Sequence, residues 1–462
     1  MRMTAAEPLH ADAIIETRWL IPVEPADAVL PHHSVVICAG RIRDILPTAE
    51  ARTRYAAPTR VQLEHHALLP GLVNAHTHAA MTLLRGLADD LPLMEWLKGH
   101  IWPAESEHVS HAFVHDGTLL ACAEMLKGGT TCFNDMYFFP EAAALAALRI
   151  GMRASIGVIA IDFPTRYAPD AAASLSQGLA TRDRLRDEPT LSFCLAPHAP
   201  YTVGDQTLEQ VLTYSEQLDL PIHIHLHETQ DEIRHGIATF GARPLSRLQA
   251  LGMISPNLLA VHAVHLEPQE IALLASHGAH AVHCPASNLK LASGFSPVGE
   301  MIRQGLNVCV GTDGAASNNR LDMFGEMRLA ALLAKAVAGA ADALPAHQAI
   351  RMATLGGALA LGLGENIGSL VPGKAADMVA VELSEVEMLP CYDVVSHLVY
   401  VAGREHVTHV WVDGQLRVDQ GRLTGVDPFE LRAMASAWHH RLASAPQARS
   451  PAPPSAARQK RL

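Results

Sequence analysis

The 462-residue sequence predicts an α/β fold, a (β/α)8 barrel of the TIM type with a small β-sandwich domain built from both chain termini. Three observations support this prediction. Eight short apolar segments alternate with longer helical patterns through the middle of the chain. These segments lack in–out alternation, as expected for parallel strands that are buried on both faces. Both flanks, in contrast, contain strand-like runs and turns.

The eight barrel strands are predicted at 68–75, 130–135, 153–160, 191–197, 222–227, 258–264, 279–284 and 307–312. Helices are predicted between them, for example at 105–127, 141–149 and 208–218. A doubly wound open sheet is the alternative, but it requires a glycine-rich phosphate turn after an early strand. The segment PGLVNAHTH at 70–78 is not such a turn, so the barrel is favoured.

The flanks supply the second domain. Strand-like runs in each flank surround a turn, at Ala39-Gly40 in the first and at Asp413-Gly414 in the second. Each flank is too short to form an independent β-domain. We therefore expect residues 1–65 and 367–430 to pair into one sandwich beside a barrel of residues 66–366. The tail at 445–462 is rich in Pro, Ala and Ser, and we expect it to be disordered.

Composition excludes several classes of function. Hydrophobic residues make up 49% and charged residues 18%, which is typical of a globular enzyme. No apolar run is long enough for a membrane span and no signal-peptide pattern is present, so we expect a cytoplasmic protein without a membrane partner. A net charge of −12 argues against nucleic-acid binding. The seven cysteines are scattered without a CxxC pair, which indicates reduced, packed thiols.

Histidine is unusually frequent, with 27 residues, and several stand at the ends of predicted strands. Catalytic groups of such barrels project from the carboxyl ends of the strands. Reading these ends in order gives His76, His78, His198, His225 with Glu228, His262 and Asp313. Candidates at so many strand ends are difficult to explain by packing alone.

Four of these residues suit a metal ion. Residues i and i+2 of a strand face the same way, so His76 and His78 both point into the barrel mouth. His225 and Asp313 complete a set of three nitrogens and one carboxylate. Such a set suits Zn²⁺ or Fe²⁺ with one position left open for water.

Structural alternatives exist for each of these residues. A lone HxH pair such as His76 and His78 is more often a pair of surface or packed histidines. His225 belongs to an alternating triplet with His223 and His227, of which we expect at most one to bind metal. Asp313 could cap the following helix, and His262 could be a buried core histidine.

Five motifs in this order carry a family resemblance: PGLVNAHTH, HLHET, VHAVHL, HCPASNLKLASG and VGTDGAASNN. The chain resembles the metal-dependent amidohydrolase superfamily and, within it, the 5-methylthioadenosine/S-adenosylhomocysteine deaminase group. The similarity extends to about residue 425. Members with two metals bridge them with a modified lysine or an acid from strand 4, and no lysine lies between Lys127 and Lys290. The resemblance therefore implies one Zn²⁺ per subunit, with Fe²⁺ also permitted, and a homo-oligomer, either a dimer or a tetramer.

The resemblance also implies catalytic roles. Asp313 would accept the proton of an activated water, Glu228 would protonate the ring nitrogen, and His262 would stabilise the attacking hydroxide. Glu228 and Asp313 would also contact the substrate. Glu228 could instead cap the helix that begins in TQDEI.

Two further residues are expected to bind the substrate. Glu95 in LPLMEWLKGHIWP would accept hydrogen bonds from the ribose hydroxyls, and His198 in APHAPYT would contact the purine or ribose. Their structural alternatives are a solvent-facing helical acid and a packed histidine at a strand end. Arg166 does not match the family spacing well enough to assign it to a substrate carboxylate.

The predicted function is deamination of the adenine of methylthioadenosine, S-adenosylhomocysteine or both, and of adenosine as a further option, with release of ammonia. The partner is thus a small nucleoside. A triazine or N-ethylammeline hydrolase and a guanine deaminase are the alternatives on this scaffold. A non-catalytic scaffold is disfavoured because every motif position quoted above is present.

Overall fold

The computed structural model describes residues 8–444, so the expected disorder of 445–462 lies outside the described residues. The strands are β1 Leu9–His10, β2 Ala13–Leu20, β3 Leu30–Cys38, β4 Arg41–Pro47, β5 Tyr55–Ala56, β6 Thr59–Pro70, β7 Leu72–Thr77, β8 Thr130–Asp135, β9 Arg153–Ala160, β10 Leu191–Pro197, β11 Ile222–Leu226, β12 Leu258–His262, β13 His280–His283, β14 Asn307–Val310, β15 Met378–Glu382, β16 Val407–Val412, β17 Gln415–Asp419 and β18 Arg422–Leu423.

The α-helices are α1 Thr48–Arg54, α2 Leu93–Trp96, α3 Trp102–His108, α4 His111–Lys127, α5 Pro140–Ile150, α6 Ala171–Leu185, α7 Asp205–Leu218, α8 Gln230–Phe240, α9 Pro244–Ala250, α10 Pro268–Ser276, α11 Pro285–Lys290, α12 Val298–Arg303, α13 Ala315–Asn318, α14 Met323–Ala338, α15 Ala346–Ala353, α16 Leu355–Ala360, α17 Val394–Tyr400 and α18 Pro428–Ser444. Three 3₁₀ segments lie at Ala79–Leu84, Val386–Met388 and Arg404–His406, and one π-helical turn lies at Leu97–Ile101.

Strands β7 to β14 form a parallel sheet in chain order, as expected for a (β/α)8 barrel. The first and last strands meet where the Asp313 amide donates to the His76 carbonyl across 3.0 Å. Glycine at position 311 permits this approach, because a Cβ there would lie only 2.8 Å from the backbone nitrogen of His76. The predicted fold class is confirmed. Strand interiors are apolar because both barrel faces are buried.

The predicted strand 68–75 is wrong, because it joins the ends of two elements. β6 ends at Pro70 in a different sheet, and β7 begins the barrel at Leu72. Gly71 is the single residue between the two strands. Only glycine fits at this position, because a Cβ would lie 2.1 Å from the Thr131 hydroxyl oxygen. The run is continuously apolar because both sheets bury their own part of it.

The predicted helix 105–127 is likewise two helices, α3 and α4. Ser110 separates them in an extended conformation, and its hydroxyl accepts a hydrogen bond from the Phe113 amide at 3.2 Å. Ser110 therefore acts as the N-cap of α4.

A second eight-stranded sheet combines both flanks in the order β18-β17-β16-β15-β6-β2-β3-β4. β6, from the first flank, pairs antiparallel with β15 from the second and parallel with β2. Both chain ends thus contribute to one layer beside the barrel, as predicted. We propose a division into two domains that meet at Gly71.

The two sheets are joined by a buried ion pair. Arg153 on β9 donates to the two carboxylate oxygens of Asp377 at 2.8 and 3.2 Å. Both side chains are almost fully buried.

Among the described residues, no helix is both long and apolar enough to cross a bilayer. All seven cysteines are free thiols, and five of them are buried.

Candidate metal centre and catalytic pocket

His76 and His78 stand at the carboxyl end of β7 with their Nε2 atoms turned to one point. The His78 Nδ1 donates to the Met136 carbonyl at 2.6 Å, and the His76 Nδ1 lies 2.9 Å from the His223 Nε2. Their Nε2 atoms lie 3.3 and 3.4 Å from the same oxygen, Oδ1 of Asp313. Because the Nδ1 atoms are occupied, Nε2 is the atom that each ring offers to a ligand.

Asp313 follows β14 with a positive φ of 59°, which turns its side chain into the barrel mouth. Its Oδ2 accepts hydrogen bonds from the hydroxyls of Ser287 at 2.6 Å and Ser317 at 2.8 Å. These bonds fix the carboxylate and leave Oδ1 facing the histidines. Burial alone would raise the pKa of Asp313, but the imidazoles of His76, His78 and His262 beside it outweigh burial and hold this pKa well below its usual range.

His225 near the end of β11 completes the cluster. Its Nδ1 donates to the His198 carbonyl at 2.6 Å, and its ring centroid lies 5.0 Å from that of His76. Burial lowers the pKa of His76 to about 4 and that of His225 well below its usual range, so both rings are neutral at pH 7. Neutral imidazole is the form that binds a metal ion.

These residues fit a metal ion. The ligand-capable atoms of His76, His78 and His225 lie within 4.8 Å of one another, as do those of His76, His262 and Asp313. The His76 Nε2 is buried and has no hydrogen-bond partner among the described residues. A buried nitrogen that lacks a partner is costly unless something occupies the centre of the cluster.

Glu228 and His262 face the same centre. The His262 Nδ1 lies 2.8 Å from the Asn288 Oδ1, and its Nε2 lies 3.8 Å from the Glu228 Oε2. Glu228 is buried, accepts a hydrogen bond from the Ser293 hydroxyl at 3.3 Å, and does not cap α8, whose N-cap is Thr229. Burial raises the pKa of Glu228. The structure thus brings six predicted residues together, namely His76, His78, His225, Glu228, His262 and Asp313.

A cavity of about 650 Å³ opens above this cluster. Its walls are mainly apolar and aromatic, with Trp96, Trp102, Tyr137 and Phe163 among them. His198, predicted to contact the substrate, is in the wall, and its Nδ1 lies 3.0 Å from the Thr202 hydroxyl. The volume suits a small organic molecule that presents one polar end to the cluster.

The structure does not support the expected role of Glu95. Glu95 is exposed and is not in the cavity wall, whereas Leu93 and Trp96 beside it are buried and line the cavity. The helix turns about 100° per residue, so Glu95 falls on the outer face. The assignment of the ribose to Glu95 therefore stays a prediction that the geometry of this segment does not favour.

Glu105, which no sequence pattern singled out, lies in the cavity wall instead. Its side chain is buried, and its Oε1 accepts a hydrogen bond from the Tyr137 hydroxyl at 2.7 Å. Burial raises the pKa of Glu105 to about 7. Its signal in the sequence is the segment IWPAESE, in which an acid follows an aromatic residue and a helix-initiating proline.

The chain is similar to known proteins along most of its length. The sequence profile of the Amidohydrolase family matches residues 67–417. A relative from Saccharophagus degradans named 5-methylthioadenosine/S-adenosylhomocysteine deaminase is 48% identical over 428 residues, which cover 93% of this chain and 96% of that protein.

Two solved structures are also similar. An adenosine deaminase from Xanthomonas campestris with bound zinc has 49% identity and a TM-score of 0.94, covering 95% of this chain and all of that one (100%). An atrazine chlorohydrolase from Arthrobacter aurescens TC1, complexed with zinc, has a TM-score of 0.85 and 22% identity, covering 92% of this chain and 99% of that one. At this lower identity the likeness indicates the fold alone.

Proposed function

Because this chain belongs to the amidohydrolase family, we propose that its barrel catalyses the hydrolytic deamination of the adenine of 5′-methylthioadenosine, S-adenosylhomocysteine or both. One observation of the site carries this proposal. Glu228 and His262 face the centre of a four-residue ligand set, at the floor of a cavity large enough for a nucleoside. Its relatives are named deaminases, and the chain is accordingly a hydrolase acting on a carbon–nitrogen bond.

We propose one Zn²⁺ per subunit, held by His76, His78, His225 and Asp313. The zinc-containing neighbour and the neutral imidazoles support this choice, and Fe²⁺ is the alternative that the same ligands permit. When bound, the ion lowers the pKa of a water molecule so that hydroxide is present at neutral pH.

The protein groups then divide the proton transfers. Asp313 accepts the proton of the attacking water, and its orientation is fixed by Ser287 and Ser317. His262 donates a hydrogen bond to the attacking oxygen. Glu228, whose pKa is raised by burial, donates a proton to the ring nitrogen beside the reacting carbon. Water oxygen bonds to the carbon, the bond to the exocyclic nitrogen breaks, and ammonia leaves with the proton that Asp313 returns. The remaining hydroxyl proton of the new carbonyl group restores the acid form of Glu228.

We propose that the substrate is a nucleoside and that Glu105 binds its ribose hydroxyls, in place of Glu95. An ionised carboxylate can accept two hydrogen bonds at once, which matches a pair of neighbouring hydroxyls. His198 lies in the same wall and is proposed to contact the purine or the ribose. A triazine or a free guanine would make no use of Glu105, so the nucleoside is favoured over both alternatives.

We further propose a homo-oligomer, a dimer or a tetramer, on the family resemblance. The cytoplasmic location expected from the sequence also stays a prediction. The mass of the purified protein in solution tests the oligomeric state. The distribution of the protein after cell fractionation tests its location.

The proposed function is tested by ultraviolet absorbance of zinc-loaded protein with S-adenosylhomocysteine, methylthioadenosine, adenosine, guanine and a chlorotriazine. We expect conversion of the adenine spectrum to that of hypoxanthine with the thio-nucleosides. Glu228→Gln should lower this activity by a factor of about 100 or more, since general acid catalysis contributes this much. Turnover of guanine or the triazine alone would refute the substrate assignment.

His225→Asn should lose bound zinc, whereas His265→Asn, whose ring contacts Gln230 and Ser293, should retain it.

A further inference from the structure

The turn between β11 and α8 carries Glu228 into the cavity, and its backbone is strained. His227, immediately before Glu228, has a φ of 54°, a conformation that residues other than glycine rarely adopt. Such a conformation persists only where the surrounding structure fixes it. The position of Glu228 therefore depends on what holds this turn.

Glu232 in the first turn of α8 holds it. Its Oε1 accepts a hydrogen bond from the His227 amide, and its Oε2 accepts one from the Glu228 amide, both at 2.8 Å. The Glu232 side chain is only 5% exposed, so water does not compete strongly for these bonds. Hydrogen bonds to a carboxylate are stronger than those between neutral groups.

This arrangement differs from the usual role of such a glutamate. Thr229 and Glu232 have the spacing of a capping box, in which the glutamate normally returns to the N-cap amide. Here the Thr229 hydroxyl accepts from the Glu232 amide at 3.2 Å, as in a capping box. The carboxylate, however, reaches past Thr229 to the two amides before it. Thr229 thus caps the helix, while Glu232 secures the turn.

We propose that Glu232 is a positioning residue for Glu228, whose side chain it keeps directed at the cavity by fixing the backbone of the turn. This inference rests on the proposed function, in which Glu228 transfers a proton to the substrate. Loss of the position should lower kcat more than it raises KM, because proton transfer belongs to the transition state rather than to ground-state binding.

A double-mutant cycle tests the proposal with Glu228→Gln, Glu232→Gln and the combined variant. An amide nitrogen cannot accept a hydrogen bond, so Glu232→Gln loses one of the two contacts. We expect Glu232→Gln to lower kcat about tenfold or more in the wild-type background and less than about twofold in the Glu228→Gln background. Thr229→Ala is the matched control, since it removes the cap of α8 but leaves both Glu232 contacts, and kcat should change less than about threefold.

Amide hydrogen exchange gives a readout that does not depend on activity. In the zinc-loaded protein, exchange within 222–232 should be faster in Glu232→Gln than in Thr229→Ala, with equal zinc content. If Glu232→Gln does not fold, Glu232→Asp, which is one methylene shorter, replaces it in both experiments. Equal kcat ratios in the two backgrounds, or unchanged exchange, would overturn the proposal. Full activity of Glu228→Gln would overturn it while leaving the deaminase function intact, whereas a wild-type protein inactive on every nucleoside would remove the function itself.

Discussion

At the residue scale, the partners of each histidine determine which nitrogen it offers. The Nδ1 atoms of His78 and His225 donate to the carbonyls of Met136 and His198, so their Nε2 atoms face the centre. For His76 the partner is another imidazole, His223, rather than a carbonyl. The HxH pattern predicts the ligands, but these partners belong to other strands or strand ends, far away along the chain, and have no signal in the sequence.

The proposal that Glu105, rather than Glu95, binds the ribose hydroxyls gives a first prediction. Glu105→Gln should raise KM for methylthioadenosine about tenfold or more, because a hydrogen bond to a charged group contributes about 1.5–3 kcal/mol. Glu95→Gln is the matched control and should leave KM unchanged, since Glu95 is exposed outside the cavity. Steady-state kinetics of the two variants decide the matter. An effect of Glu95→Gln alone would restore the original assignment.

The raised pKa of Glu105, about 7, gives a second prediction. Below this pKa the carboxyl is protonated and has less capacity to accept hydrogen bonds, and above it both oxygens accept. KM for methylthioadenosine should therefore fall as the pH rises from about 6 to about 8, the range around this pKa. In Glu105→Gln, KM should be flat over this range. A pH dependence of KM that survives in Glu105→Gln would assign the titration to another group.

At the element scale, one π-helical turn decides which residues face the cavity. Leu93 and Trp96 line it before the turn, and Leu97 and Lys98 line it at the start of the turn. An uninterrupted α-helix would next present residues 100, 101 and 104 to the cavity. Instead Trp102, Glu105 and Ser106 line it. The π-helical turn at Leu97–Ile101 contains about one residue more than a turn of α-helix. The residues after it that face the cavity are therefore shifted by about one position along the chain.

Deletion of Gly99 tests this explanation. A regular α-helix should form, and Glu105 should rotate about 100° away from the cavity. KM for methylthioadenosine should then rise at least as much as in Glu105→Gln, with zinc content unchanged. Gly99→Ala is the matched control, because a Cβ at this position meets no atom within 4 Å and the length of the segment is kept. Normal KM in the deletion variant would contradict the explanation.

At the scale of the whole molecule, the terminal sheet and the barrel share a hydrophobic core, and a group of buried polar contacts also joins them. Arg153 on β9 pairs with Asp377, and the same carboxylate accepts a hydrogen bond from the Asp413 amide at 2.7 Å. Gly71 lies at the same place, with its amide donating to the Asp377 carbonyl at 3.0 Å. The barrel strand, the chain crossing and the second flank thus converge on one residue.

Asp377→Asn should therefore destabilise the protein strongly. It leaves the Arg153 guanidinium buried without its charge partner, which costs about 3–5 kcal/mol. Glu300→Gln is the control, because its partner Arg303 is largely exposed and such pairs contribute no more than about 1 kcal/mol. The midpoint of thermal unfolding of the zinc-loaded protein should fall clearly for the first variant and little for the second. Equal midpoints would show that the pair does not hold the two sheets together.

The sequence by itself determined the barrel, the contribution of both flanks to a second sheet, and the residues that surround the candidate metal centre. Strand ends, the HxH pattern and the family motifs are local signals, and parallel strands bring their carboxyl ends together in any such barrel. Only the tertiary structure decided which acid faces the cavity, where the chain passes from one sheet to the other, and what holds Glu228. Each of these depends on distant partners, such as Tyr137 for Glu105 and Thr131 for Gly71. Contacts between residues far apart in the chain are absent from a local pattern and arise only when the elements pack.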